Sequence, residues 1–68
     1  MTLNINGSDH AARGTIVATQ RGKIIWRGVG KEVGVALQMG ADRLHVHTAD
    51  VPVLRDVLSK RFEVRVMG

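Results

Sequence analysis

The chain has 68 residues, the size of one small domain whose stability is marginal unless an oligomer or a bound partner adds to it. It contains no cysteine, which excludes disulfides, thiolate metal sites and thiol catalysis. Ten Lys and Arg against six Asp and Glu give a net charge of +4, which favours polyanionic partners. The only aromatic residues, Trp26 and Phe62, are too few for the stacking platforms of single-strand binders.

Three strands are predicted in the first half of the chain. Residues 2–7 alternate polar and apolar side chains and end at Asn-Gly, and residues 15–19 are rich in β-branched side chains. Residues 24–29 follow a tight-turn signal centred on Arg21 and Gly22. The second and third strands are therefore expected to form an antiparallel hairpin.

Residues 31–39 are predicted to form a helix that ends at Gly40. Gly34 weakens this helix, and it would allow close approach to the sheet or to another copy of the helix. Val35 and Met39 make nearly the whole helix surface apolar, which suggests that a partner covers it.

The second half of the chain has the form of a β-α-β crossover. In the strand over residues 44–48, Leu44 and Val46 face one side and His45 and His47 face the other. A helix follows, and residues 61–67 form the last strand, parallel to the first of the pair. The apolar stripe predicted for this second helix consists of Val53, Leu54, Val57 and Leu58. Ligands of such sheets gather where strands end, which here means residues 48–50.

The whole order is β-β-β-α-β-α-β, an α/β class with a five-stranded mixed sheet and two helices in a single domain over residues 1–68. This order resembles a minimal core of the ribonuclease H-like fold. Short motifs agree with it: Asn6-Gly7-Ser8 then Gly14 match the end of the family's first strand and the start of its second. Glu32 matches a helix glutamate, and Thr48-Ala49-Asp50 matches Thr-Asp-Ser at the end of the fourth strand.

The resemblance implies cleavage of the RNA strand of RNA–DNA hybrids with two divalent metal ions held by clustered carboxylates. Two of the matching acidic positions carry Asn6 and Ala49, so only Glu32 remains in register. The expectation is therefore a pseudoenzyme without a cofactor. The alternative is a nuclease in which Glu32, Asp50 and Asp9 bind Mg²⁺ or Mn²⁺.

Asp50 and Glu32 also have simpler interpretations. Asp50 precedes Val51 and Pro52, and it is expected to be a helix N-cap that accepts backbone N–H bonds. Glu32 suits the first turn of a helix, where a negative charge meets the positive end of the helix dipole.

The polar face of the fourth strand offers a second candidate metal site. His45 and His47 are spaced as ligands on one strand face, and Glu63 is the candidate third ligand if the last strand is a neighbour. Two half-exposed histidines on an open sheet face are the commoner alternative.

Basic residues cluster in the first half of the chain and predict contacts with the phosphates of a nucleic acid. The alternative is a set of solvated charges that discourage strand-to-strand aggregation. Trp26, together with Val35 and Met39, is the predicted interface with another copy. The predicted phosphate-binding residues are Arg13, Arg21, Lys23, Arg27 and Lys31.

The first hypothesis is a non-catalytic ribonuclease H-like module that forms a homodimer and binds DNA, RNA or a hybrid through a basic hairpin. The alternative is a structural or protein-interaction homodimer with no nucleic-acid role. Residues 1–8 lack signal-peptide features and no apolar run is long enough to span a bilayer, so a cytoplasmic protein without a membrane partner is expected.

Overall fold

A computed structural model describes residues 2–67 of the chain. The α/β class, the order of elements and the five-stranded mixed sheet are as the sequence predicts. A 3-10 turn precedes each helix, at Gly30–Glu32 and Thr48–Asp50. The strands and helices are β1 (Thr2–Ser8), β2 (Thr15–Gln20), β3 (Lys23–Val29), α1 (Val33–Gln38), β4 (Arg43–His47), α2 (Val51–Leu58) and β5 (Glu63–Met67).

The strands lie in the order β3-β2-β4-β1-β5. β1 pairs in parallel with β4 on one side and with β5 on the other, whereas β2 is antiparallel to both β3 and β4. The crossover from β4 to β5 therefore joins two parallel strands, as expected, with β1 between them.

The hairpin between β2 and β3 is confirmed at its turn. Arg21 and Gly22 both have positive φ, 52° and 83°, which is the backbone of the mirror-image turns that match the twist of paired strands. The Asp42 carboxylate accepts a hydrogen bond from the Arg21 backbone N–H at 3.1 Å and ties the turn to the segment that precedes β4.

One hydrophobic core lies between the sheet and the two helices. Its sheet side is formed by alternating strand residues, which are fully or almost fully buried. From the helices, Ala36, Val51 and Leu58 pack against them, so α1 and α2 cover the same face of the sheet. The strand residues are Leu3, Ile5, Ile16, Ala18, Leu44 and Val46.

The prediction of one helix over residues 31–39 is only partly right. The first three residues of the segment after β3 form the 3-10 turn, and the backbone of Glu32 (φ −100°, ψ 18°) is not α-helical, so α1 has six residues. A Cβ added to Gly34 would meet no atom within 4 Å, so its predicted close approach to the sheet is wrong. Val35 and Met39 are 44% and 50% exposed, in keeping with the surplus apolar surface that the sequence predicts.

The predicted apolar stripe of α2 is also partly wrong. Val53 and Val57 are 66% and 51% exposed, whereas Val51 is buried with Leu58. The helix begins at Val51, and the residues three and seven positions later then share its buried side. Gly7 allows this helix to lie close, because a Cβ at Gly7 would stand 3.0 Å from Cγ2 of Val51. No helix within residues 2–67 has the length and apolar character needed to cross a membrane.

Candidate nucleic-acid interface

The face of the sheet opposite the helices is called the open face here, because no helix or strand of residues 2–67 packs on it. Its side chains come from the strand residues that alternate with the core. The register places them in two rows across the sheet. One row contains Arg27, Val17, His45, Asn6 and Met67, and the next contains Ile24, Thr19, Arg43, Asn4 and Arg65.

Three arginines are spread across the open face. Arg27 lies on β3, Arg43 on β4 and Arg65 on β5, so each is two strands away from the next. Since neighbouring strands are about 4.8 Å apart, the three arginine backbones are spaced about 10 Å apart across the sheet. Arg43 and Arg65 lie in the same row, on either side of Asn4.

The basic character of the chain is concentrated on this side. The open face and the hairpin tip contain five of the ten basic residues, since Arg21 and Lys23 at the tip join the three arginines. Only two of the six acidic residues, Asp42 and Glu63, lie there. Three of the four net positive charges are therefore on one side of the molecule.

A shallow cleft of about 420 Å³ opens at the hairpin end of the open face. Its lining residues include two basic ones, Arg21 and Arg43, and one acidic one, Asp42, and the polar residues Asn4, Thr19 and His45 complete it. An anionic group in this cleft would therefore lie near two arginine residues and several hydrogen-bonding residues.

Side-chain contacts hold parts of the open face in place. The hydroxyl oxygen Oγ1 of buried Thr19 lies 3.3 Å from Nε2 of His45. Arg43 donates from Nη2 to the sulfur of Met67 at 3.6 Å, so its side chain reaches across β1. Nε of Arg65 is 4.0 Å from Oε1 of Glu63, and both side chains are about 70% exposed, so this pair is weak and leaves Arg65 accessible.

His45 adds hydrogen-bonding capacity rather than charge. Partial burial lowers its pKa below 6.5, and the neighbouring Arg43 charge lowers it further. The imidazole is therefore neutral at pH 7 and can form one donor and one acceptor contact.

Asn6 lies on the open face between His45 and Met67, on β1. Its side-chain oxygen Oδ1 is buried and has no hydrogen-bond partner among the described residues. A buried acceptor without a partner reduces stability by about 1–3 kcal/mol, so Asn6 is a position where packing alone does not explain the residue.

The structure separates the basic residues that the sequence predicts for phosphate contact. Arg21, Lys23 and Arg27 lie at the hairpin tip and on the open face. Arg13 and Lys31 flank the other end of the β2–β3 pair.

Two arginines of the open face, Arg43 and Arg65, are absent from the predicted set. Both alternate with buried or half-buried residues, Leu44 and Val64, and that alternation in the sequence places them on the polar side of their strands. The signal was therefore present, but only the observed register brings the two arginines into one row.

The three acidic residues of the nuclease alternative are not brought together. No group of three His, Cys, Asp or Glu side chains within residues 2–67 is placed to hold a metal ion, so Glu32, Asp50 and Asp9 form no such cluster. Asp50 is occupied by another contact, because its Oδ2 accepts a hydrogen bond from the Gly14 N–H at 2.7 Å.

The predicted cap at Asp50 is wrong as a consequence, since its carboxylate makes no cap hydrogen bond to α2. It fixes the loop before β2 instead. Glu32 likewise makes no cap hydrogen bond to α1, although it lies at that helix's N-terminus.

The predicted set His45, His47 and Glu63 is not assembled either. β5 does not neighbour β4, because β1 lies between them, and Glu63 is in register with Thr2 at the far end of β1. Nδ1 of His47 accepts a hydrogen bond from the Ala49 N–H at 2.9 Å and thereby caps the 3-10 turn.

Trp26 lies on the covered side of the sheet. It is paired with buried Ala18 and packs against the core, and its ring occupies the space where a Cβ of Gly28 would be. Phe62 also packs against the core. Because these are the only Phe, Tyr or Trp residues of the chain, the open face carries no large aromatic ring for base stacking.

Comparisons of this chain with family models, with curated proteins and with solved structures found no match.

Proposed function

We propose that this chain is a small non-catalytic domain that binds nucleic acid through its open face and hairpin tip. The observation that carries the proposal is the row of Arg43 and Arg65 on the open face, with Arg27 on β3 and with Arg21 and Lys23 at the adjacent turn. In this proposal the module is ribonuclease H-like, with Asn6 and Ala49 at positions where the enzymes have acids.

The chemistry of the face favours the phosphate backbone over the bases. Guanidinium groups donate paired hydrogen bonds to phosphate oxygens, and Asn4 and His45 add neutral hydrogen-bonding groups between them. Trp26 and Phe62 pack on the core side, so no Phe, Tyr or Trp ring on this face is placed to stack on bases. Binding is therefore expected to depend strongly on salt and weakly on nucleotide sequence.

The test is a titration of duplex DNA, duplex RNA and RNA–DNA hybrid at several salt concentrations. The wild-type chain should bind at low salt, and the logarithm of affinity should fall linearly with the logarithm of salt concentration. Arg43→Gln and Arg65→Gln should each weaken binding and reduce that slope by about 0.7–0.9, the value of one lost phosphate contact.

Arg55→Gln is the matched control, because it removes the same charge from an exposed position of α2, on the other side of the sheet. Equal losses in Arg43→Gln and Arg55→Gln would mean that net charge, not the open face, drives binding. Absence of binding at low salt would remove the proposal.

Cleavage is read in the same samples. A labelled hybrid incubated with Mg²⁺ or Mn²⁺ should remain intact. Cleavage that is lost in Glu32→Ala would support the nuclease alternative and contradict the non-catalytic assignment.

A further inference from the structure

The sheet has two edge strands, β3 and β5, whose outer sides pair with no other strand of residues 2–67. An unpaired edge offers a row of backbone N–H and C=O groups to any extended chain. In a domain of this size, an added strand is also a way to gain stability that the core alone provides only in part.

The β3 edge is protected against pairing with itself. It carries Lys23 and Arg27 and no acidic residue, so no register of two β3 strands pairs either cation with an opposite charge. Its pairing with β2 is also irregular after Ala18, and such bulges discourage further strand addition.

The β5 edge is different, because Glu63 and Arg65 are of opposite charge and project on the same face two residues apart. Val66 and Met67 on this strand are 45% and 43% exposed. The strand therefore combines an open backbone edge, exposed apolar side chains and a charge pattern that can be self-complementary.

Antiparallel pairing of β5 with a second β5 selects one register. A register centred on Glu63 or on Arg65 places like charges opposite each other. A register centred on Val66 places Arg65 opposite Met67, which gives no ion pair. Centring on Val64 opposes Glu63 of each copy to Arg65 of the other, which gives two reciprocal ion pairs. The same register opposes Val66 to Phe62, so apolar side chains meet on the helix side.

We infer that a second copy of this chain pairs with β5 in the register centred on Val64 and forms a two-fold symmetric dimer with a continuous ten-stranded sheet. Each surface patch meets its own copy, as a two-fold axis requires. Because the axis is perpendicular to the sheet, the two open faces lie side by side on one surface of the dimer.

The inference is tested by light scattering and sedimentation over a range of protein concentrations. The wild-type chain should pass from monomer to dimer as concentration rises. Glu63→Arg and Arg65→Glu, each alone, should be monomeric where the wild type is dimeric, since each opposes like charges twice. Glu32→Arg is the control for the charge change, at an exposed position outside β5, and it should dimerise like the wild type.

Complementation separates the register from a simple loss of folding. An equimolar mixture of the Glu63→Arg and Arg65→Glu chains should form a heterodimer, and the double variant that carries both changes should recover the homodimer. A wild-type chain that stays monomeric, single variants that still dimerise, or single variants that do not recover on mixing would each overturn the inference.

The dimer and the proposed function share Arg65, but each can fail without the other. Nucleic-acid binding by monomeric Arg65→Glu is expected to weaken and by monomeric Glu63→Arg to strengthen, because the two changes alter the charge of the open face in opposite directions. If the wild-type chain stays monomeric but the two variants show this binding pattern, the dimer is ruled out and the proposed function still holds.

Discussion

Leu44 and His45 are neighbours in β4, yet Leu44 is fully buried under the helices and His45 lies half-buried on the open face. The same contrast holds for Ile5 and Asn6 in β1. The covered face is apolar and closely packed, whereas the open face has polar and basic side chains with few contacts among them. Stability therefore depends mainly on one face of the sheet, and the other is free to serve binding.

The largest expected effect is on the covered face. Leu44→Ala should lower the free energy of unfolding by about 2–5 kcal/mol, because it removes a fully buried side chain and leaves a cavity. Arg27→Ala, on the open face, should change it by less than about 0.5 kcal/mol. Urea unfolding of the two variants measures the difference, and similar losses in both would contradict the division of roles.

A second prediction concerns the aromatic side chain at the edge of the covered face. In Gly28→Ala, the added Cβ would collide with the Trp26 ring, so the ring must move or the strand must shift. The expected loss is about 1–3 kcal/mol, with a red shift of tryptophan fluorescence as the ring becomes exposed. Unchanged fluorescence and stability would mean that Trp26 does not pack over Gly28.

The hydrogen bond from the Gly14 N–H to the Asp50 carboxylate links the loop before β2 to the turn before α2. Asp50→Ala should reduce stability by about 1 kcal/mol, because it leaves the Gly14 N–H without its charged partner. Amide hydrogen exchange should rise at Gly14. A rise confined to the first amides of α2 would instead support the helix cap that the sequence predicts.

The smallest expected effect is a pH dependence from the open face. The pKa of His45 is lowered in the folded chain, so the unfolded chain binds the proton more tightly. The contribution of His45 to the free energy of unfolding is therefore complete above pH 6.5. It decreases as the pH falls from 6.5 through the lowered pKa of the folded chain. His45→Gln should remove that part of the pH dependence of the urea midpoint, and an unchanged profile would show that His45 is not its source.

Features set by neighbouring residues were predictable from the sequence. The turn at Arg21 and Gly22 depends on local backbone preference, and the alternation from Leu44 to His47 is visible in the chain itself. The order of elements follows from such local patterns. The α/β class and the five-stranded mixed sheet with two helices could therefore be predicted without knowledge of the strand order.

Features that depend on distant pairing were not predictable. The sequence does not state that β1 separates β4 from β5, so Glu63 was placed beside the wrong strand. The role of Asp50 was missed for the same reason, since its partner Gly14 is 36 residues away. To predict that Arg43 and Arg65 lie in one row, the register of β1 with β4 and that of β1 with β5 must both be known.

The position of β1 between β4 and β5 has a consequence for how the chain acquires its structure. Its two neighbours, β4 and β5, begin at residues 43 and 63. During synthesis on the ribosome, Leu3 and Ile5 therefore stay exposed to solvent until these later strands have been made. The β2–β3 hairpin closes locally and is expected to form first, whereas insertion of β1 must await both late strands and is expected to limit the folding rate. Until then the newly made chain exposes a strand with two free edges and two unburied apolar side chains, and in this interval it is most open to aggregation or to capture by a chaperone.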